Sequence, residues 1–140
     1  MKNLFLFSFI SLFLISCEKE GELTKASTEN VINPTAVIKY AGTFNPTSGI
    51  NVNGEAKIYL EGSNFTLKLE NFTISEGPDL KVYLSKAATP NDFVNVGNLI
   101  PASNLTYAIP SQINLEEYKY VLIHCQQYNH LFATAMLSRN

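Results

Sequence analysis

The sequence predicts an all-β fold, an antiparallel β-sandwich or small Greek-key barrel of about eight strands. Three observations carry that expectation. Short segments alternate apolar and polar side chains, the period of a sheet with one buried and one wet face. Clusters of Gly, Pro, Asn and Asp punctuate them. Only Leu115–Tyr118 offers a helical turn, with Asn114 as its cap, so nothing supplies the crossover helices of a parallel sheet. A chain of 140 residues with 46% hydrophobic and 16% charged residues fits one folded domain. It is too short for a TIM barrel of roughly 250 residues or for a two-domain enzyme. A formal charge of −2 gives no cationic footprint for nucleic acid.

The N-terminus reads as a processing signal over residues 1–16. Lys2 supplies a positive start, and Leu4 to Ile15 is an apolar run broken only by Ser8 and Ser11. Such a run is short of the roughly 20 residues a spanning helix needs, and fits the apolar core of a secretory signal. Leu14-Ile15-Ser16-Cys17 resembles the lipobox of bacterial lipoproteins, in which the Cys sulfur takes a diacylglycerol and cleavage falls just before it. Cys17 is therefore the expected lipid attachment point, with palmitate-type acyl chains holding the mature chain to a bilayer. Glu18-Lys19-Glu20 loosely resembles the acidic export signals of Bacteroidetes surface lipoproteins. The expected location is the bacterial cell envelope, on the outer membrane, facing either the periplasm or the surface. Residues 17–35 are polar and read as the lipidated Cys and a flexible tether, with a short helix over Glu20–Ser27 as the alternative.

The domain then spans 36–140. Strands are expected at 37–44, 54–60, 64–72, 80–85, 93–97, 105–109, 118–125 and 131–137. Ala56, Ile58 and Leu60 alternate with Lys57, Tyr59 and Glu61, and Leu80, Val82 and Leu84 with Lys81, Tyr83 and Ser85. Turns follow at Glu61–Asn64, Glu76–Asp79 and Thr89–Asp92. Gly77-Pro78-Asp79 reads as a turn in which Gly takes an unusual dihedral and Asp accepts backbone hydrogen bonds, or as a ligand or calcium site at Asp79.

Chemistry-bearing residues are few. With Cys17 consumed by lipid, Cys125 is an unpaired thiol in an oxidising compartment. It is either a small buried hydrophobe or a redox and cofactor-binding sulfur. Strand alternation puts His124 on the opposite face from Cys125 unless a bulge intervenes, while a turn after Cys125 returns His130 close to one of them. Met136 is a soft candidate ligand, but one Cys and one Met leave a copper site incomplete. Met136, Tyr120, Tyr128 and Phe132 line either a pocket or the core. Nucleophile-elbow, phosphate-loop and zinc-hydrolase motifs are missing, so no catalytic residue is assigned and an enzyme is not the favoured reading.

Ser48–Glu55 (SGINVNGE), Leu67–Ser85 (LKLENFTISEGPDLKVYLS), Val96–Leu99 (VGNL), Tyr107–Pro110 (YAIP), Val121–Cys125 (VLIHC) and Phe132–Leu137 (FATAML) resemble the DM-thirteen domain family. The likeness covers roughly residues 40–137. The family occurs beside DOMON domains and in bacterial secreted proteins. The resemblance implies a β-sheet domain with an electron-transfer role through a Cys matching Cys125, as a bare thiol or holding a group such as haem. Members often carry Trp before that Cys, where this chain has His124, and a Gly near Ala133 or Thr134, where it has none. Two functions follow as expectations: a membrane-anchored redox or haem module with an envelope redox partner, or a non-catalytic module binding a protein or glycan. The second leans on Tyr59 and Tyr83 as exposed aromatics on a sheet face.

Overall fold

The structure, a computed structural model, describes residues 32–100 and 105–140. The signal, Cys17 and the tether as far as residue 31 lie outside these. Nine strands are present among the described residues: β1 (Val37–Pro46), β2 (Val52–Glu61), β3 (Asn64–Ile74), β4 (Leu80–Ser85), β5 (Phe93–Asn98), β6 (Thr106–Ala108), β7 (Tyr120–Cys125), β8 (His130–Met136) and β9 (Ser138–Arg139). The order β5-β4-β7-β8-β1-β2-β3-β6 forms one antiparallel sheet, with the short β9 also on β1. The expected strands are found with ends moved by one or two residues, and β9 is additional. Leu115–Glu117 makes only a turn, yet Asn114 caps it as expected, its side-chain oxygen accepting from the Glu116 amide at 3.0 Å.

The sheet curls until its two outermost strands meet, a barrel that is nearly closed. Between β5 and β6 the described residues make a side-chain bond instead of a ladder: the Tyr107 hydroxyl donates to the Asn98 carbonyl at 3.1 Å. The interior is filled by the alternate residues the pattern predicts, among them Ile58, Leu67, Val82, Leu84 and Ile123, together with Phe44 of β1. Removal of these side chains from water is the main force holding the barrel together.

One expectation about the faces fails. β4 and β7 are buried on both sides, not on one. Tyr83 is 2% exposed and Leu122 fully buried, although both point out of the barrel. The cause is the 86–92 connection, which folds back over the outer face. Thr134, directly opposite Leu122, donates its hydroxyl to the Ala88 carbonyl at 3.3 Å. The Ser85 hydroxyl sits at 3.1 Å from both the Thr89 and Asn91 carbonyls, and accepts from the Ala87 amide. A buried hydroxyl thus ties the strap by its polar backbone groups, which would otherwise be costly to cover.

The barrel has two distinguishable ends. The chain enters the described fold at one of them, where the Asn33 amide donates to Glu61 at 2.7 Å beside the β2–β3 turn. The other mouth is made by the 47–51 segment, the 75–79 segment and the β7–β8 turn. There the Thr47 amide donates to the Phe132 carbonyl, and the Gln126 amide to the Asp79 carbonyl, both at 2.9 Å.

Candidate functional site

Cys125 is the last residue of β7, paired with Leu80 on one side and His130 on the other. Its position follows from the hairpin. Gln126–Asn129 turn the chain, and Asn129 takes the left-handed conformation (φ 49°) that Asn tolerates better than most residues. The returning strand would set His124 opposite Phe132, but the register shifts between Ile123 and His124. Ile123 faces Ala133 and His124 faces Leu131, so Phe132 is left over as a bulge. Its carbonyl, lost to the ladder, is taken by Thr47 through both amide and hydroxyl. The shift brings Cys125 and His130 directly opposite each other on one face, with Cβ atoms about 4.5–5.5 Å apart as for any such pair. The sequence left open which residue His130 would rejoin, and the structure gives Cys125.

The two members of that pair have unlike surroundings. Cys125 is 0% exposed and belongs to the core cluster, while His130 is exposed and meets the Phe132 ring edge-on, centroids 5.4 Å apart. Gly77 closes the wall beside them. Its φ is not positive, contrary to the expected dihedral role. A Cβ there would fall 2.7 Å from Leu80 and 3.1 Å from Phe132, so the glycine serves close packing at this mouth. Asp79 pairs through its carboxylate with Lys81 Nζ at 2.7 Å.

His124 is on the outer face, as alternation requires, facing Lys81 across the β4–β7 ladder. It stacks on Tyr83 (5.4 Å between centroids), which in turn stacks on Phe93 at 4.2 Å. The imidazole is 5% exposed, and its Nδ1 is buried without a partner. Burial holds His124 below the usual histidine range, the Asn129 side chain pulls it upward, and His130 lowers it slightly. Burial also raises the Tyr83 phenol, so the tyrosine expected on an exposed face is a covered one. Tyr59 is only half open, and its hydroxyl donates to Glu70. Met136 is 60% exposed and lies opposite Tyr120, at the far end of β8 from His130. Tyr128 projects from the hairpin turn at 68% exposure.

These placements decide what the site can hold. A haem needs its axial ligands directed into one shared cavity. Cys125 is sealed in the core, His124 points out of the other face, and Met136 is at the opposite end of its strand. The residues present do not fit a haem. Among the described residues, no three of His, Cys, Asp and Glu gather as metal ligands. What is assembled is a buried thiol closing a hairpin against an exposed imidazole, with a second, buried imidazole one residue away.

The sequence missed the strap and the Tyr83–Phe93–His124 stack. The one available signal was the length of the 86–92 connection, longer than a two-residue hairpin needs. The model of a family described as electron transfer DM13 matches residues 43–137. Neither the curated proteins nor the solved structures contain a match.

Proposed function

The chain belongs to the electron transfer DM13 family, and from that premise we propose that it is a membrane-anchored extracytoplasmic domain whose redox-relevant atom is the Cys125 sulfur. The supporting observation is position. Cys125 closes the barrel mouth opposite the end where the chain arrives from Cys17. With Cys17 acylated in an outer membrane and joined to the barrel by a flexible tether, the mouth across the barrel from the point of attachment is free to meet a redox partner of the envelope. The thiol is covered in the closed barrel, so it reacts when the hairpin end parts. Strand ends next to turns open more cheaply than the core. In the open state the chemistry is thiol–disulfide exchange: the Cys125 thiolate attacks one sulfur of a partner disulfide. The partner's other sulfur leaves as a thiolate and takes up the proton that Cys125 released.

A second reading is favoured by the burial itself. Cys125 is then a small apolar core residue, and the barrel is a non-catalytic module that binds a protein or glycan at the envelope. Labelling of the full native chain with 4,4′-dithiodipyridine across low urea concentrations separates the two. The first reading expects Cys125 to react through a local opening whose rate hardly changes with urea. Reaction only through global unfolding, with the full urea dependence of stability, overturns it. Hemin is expected to give no Cys125-dependent Soret shift. For the anchor, mass spectrometry of membrane-extracted protein is expected to show acylation at Cys17, and an unmodified soluble product refutes it.

A further inference from the structure

We propose that His124 is an acid-sensitive latch on the β7–β8 hairpin, whose protonation frees the hairpin end and uncovers Cys125. The inference rests on the reading above that Cys125 is the reactive group, and concerns its regulation. Four observations place the latch. His124 is next to Cys125 in β7, so it cannot leave its seat without disturbing the last pairs of the hairpin. Its ring is covered, stacked on Tyr83. Its Nδ1 has no partner, and among the described residues no acceptor waits for a proton there. Lys81 stands directly opposite on β4.

An imidazolium must donate from both nitrogens. Inside the seat the new N–H would be a buried, unpaired donor on a charged ring, which water outside satisfies and the closed barrel does not. The surrounding charges mostly add to the penalty. β4 contributes Lys81, a like charge, balanced in part by Asp79 at 2.7 Å from its Nζ. Tyr83 from the same strand offers a ring face, which favours a cation modestly. The hairpin contributes His130, which lowers the His124 imidazole slightly, and the neutral Asn129, whose side chain pulls it upward. β5 brings no ionisable group, only Phe93 stacked behind Tyr83.

The sign follows from the depressed histidine. A proton binds the open form, with an ordinary value near 6.5, before it binds the closed form. Closure is therefore fully present above about pH 6.5 and weakens as pH falls from there toward the lowered value. In that window opening gains at most about tenfold per pH unit.

The test labels the full chain with 4,4′-dithiodipyridine from pH 8 to 4. Each rate is divided by that of the same chain unfolded at the same pH, and Cys125 is identified by peptide mapping. The expected ratio is flat above about pH 6.5 and climbs several-fold per unit below it. The climb is expected to vanish in His124→Gln and His124→Phe and to persist, reduced, in His130→Gln. Imidazole nitrogen shifts of the wild-type protein read the latch without any variant, and should show His124 neutral until the hairpin opens. A wild-type climb unchanged in both His124 variants, or a His124 that titrates as an exposed imidazole, overturns the latch. The redox reading fails separately, if Cys125→Ala leaves exchange with a partner disulfide untouched.

Discussion

Replacing Cys125 by Ser, Ala and Val tests whether the sulfur sits in an apolar seat. The exchange to Ser keeps nearly the same shape but puts a hydroxyl where exposure is zero and the neighbours are core side chains. A buried hydroxyl without a partner costs about 1–3 kcal/mol. Removing the sulfur altogether, as Ala does, resembles loss of one methylene-sized group, about 0.5–1.5 kcal/mol. The expected order of stability is therefore Cys and Val above Ala, and Ala above Ser, although Ser is the closer in size. Urea denaturation followed by near-ultraviolet circular dichroism measures this. With a slope of about 2 kcal/mol per molar, a loss of about 2 kcal/mol moves the Ser midpoint down by about 1 M. A Ser variant as stable as the wild type would refute the apolar seat. It would mean that the atom meets water or a polar partner in the native state.

The remaining predictions concern other parts of the barrel. Gly42→Ala places a Cβ 2.2 Å from the Met136 carbonyl oxygen, where backbone must move, so a loss of about 2 kcal/mol or more and a fall in Tm of roughly 8–16 °C are expected by calorimetry. On the outer face of β2 and β3, Glu70 accepts from Lys57 at 2.7 Å and from Tyr59. Burial works to raise the Glu70 carboxyl, but these two hydrogen bonds outweigh it and hold it below the usual range, while Lys57 is pushed up to about 12. That stability is present above the ordinary carboxylate value near 4.5 and lost as pH falls through the lowered one. Glu70→Gln is therefore expected to lower the urea midpoint at pH 7, by an amount that shrinks as pH falls below about 4.5 and through the lowered value. Tyr107→Phe removes the bond to the Asn98 carbonyl and is expected to cost about 1 kcal/mol, with faster amide exchange in β5 and β6.

The alternation that reveals β2 and β3 reports a real asymmetry, with Ile58 and Leu67 inside and Lys57 and Lys68 outside. The same rule misassigns Tyr83 because a period of two tells which residues share a face, not what later covers it. The strap does so through backbone carbonyls, which carry no side-chain signature. Alternation alone also separates His124 from Cys125 correctly. Pairing Cys125 with His130 needed the Phe132 bulge, and that depends on Thr47, more than eighty positions away in sequence and invisible to any local pattern. The sequence leaves the burial of Cys125 open, because a small sulfur suits a core and a reactive site equally well.

The barrel's phenolic clasp has a consequence for solubility. Should Tyr107 let go of Asn98, the seam between β5 and β6 loosens, and β5 then offers its rim to whatever strand is near. Phe-Val-Asn-Val-Gly-Asn has no charge and no proline to discourage such a neighbour. Tyr107 thus acts as a guard against chain-to-chain stacking as much as a piece of the fold.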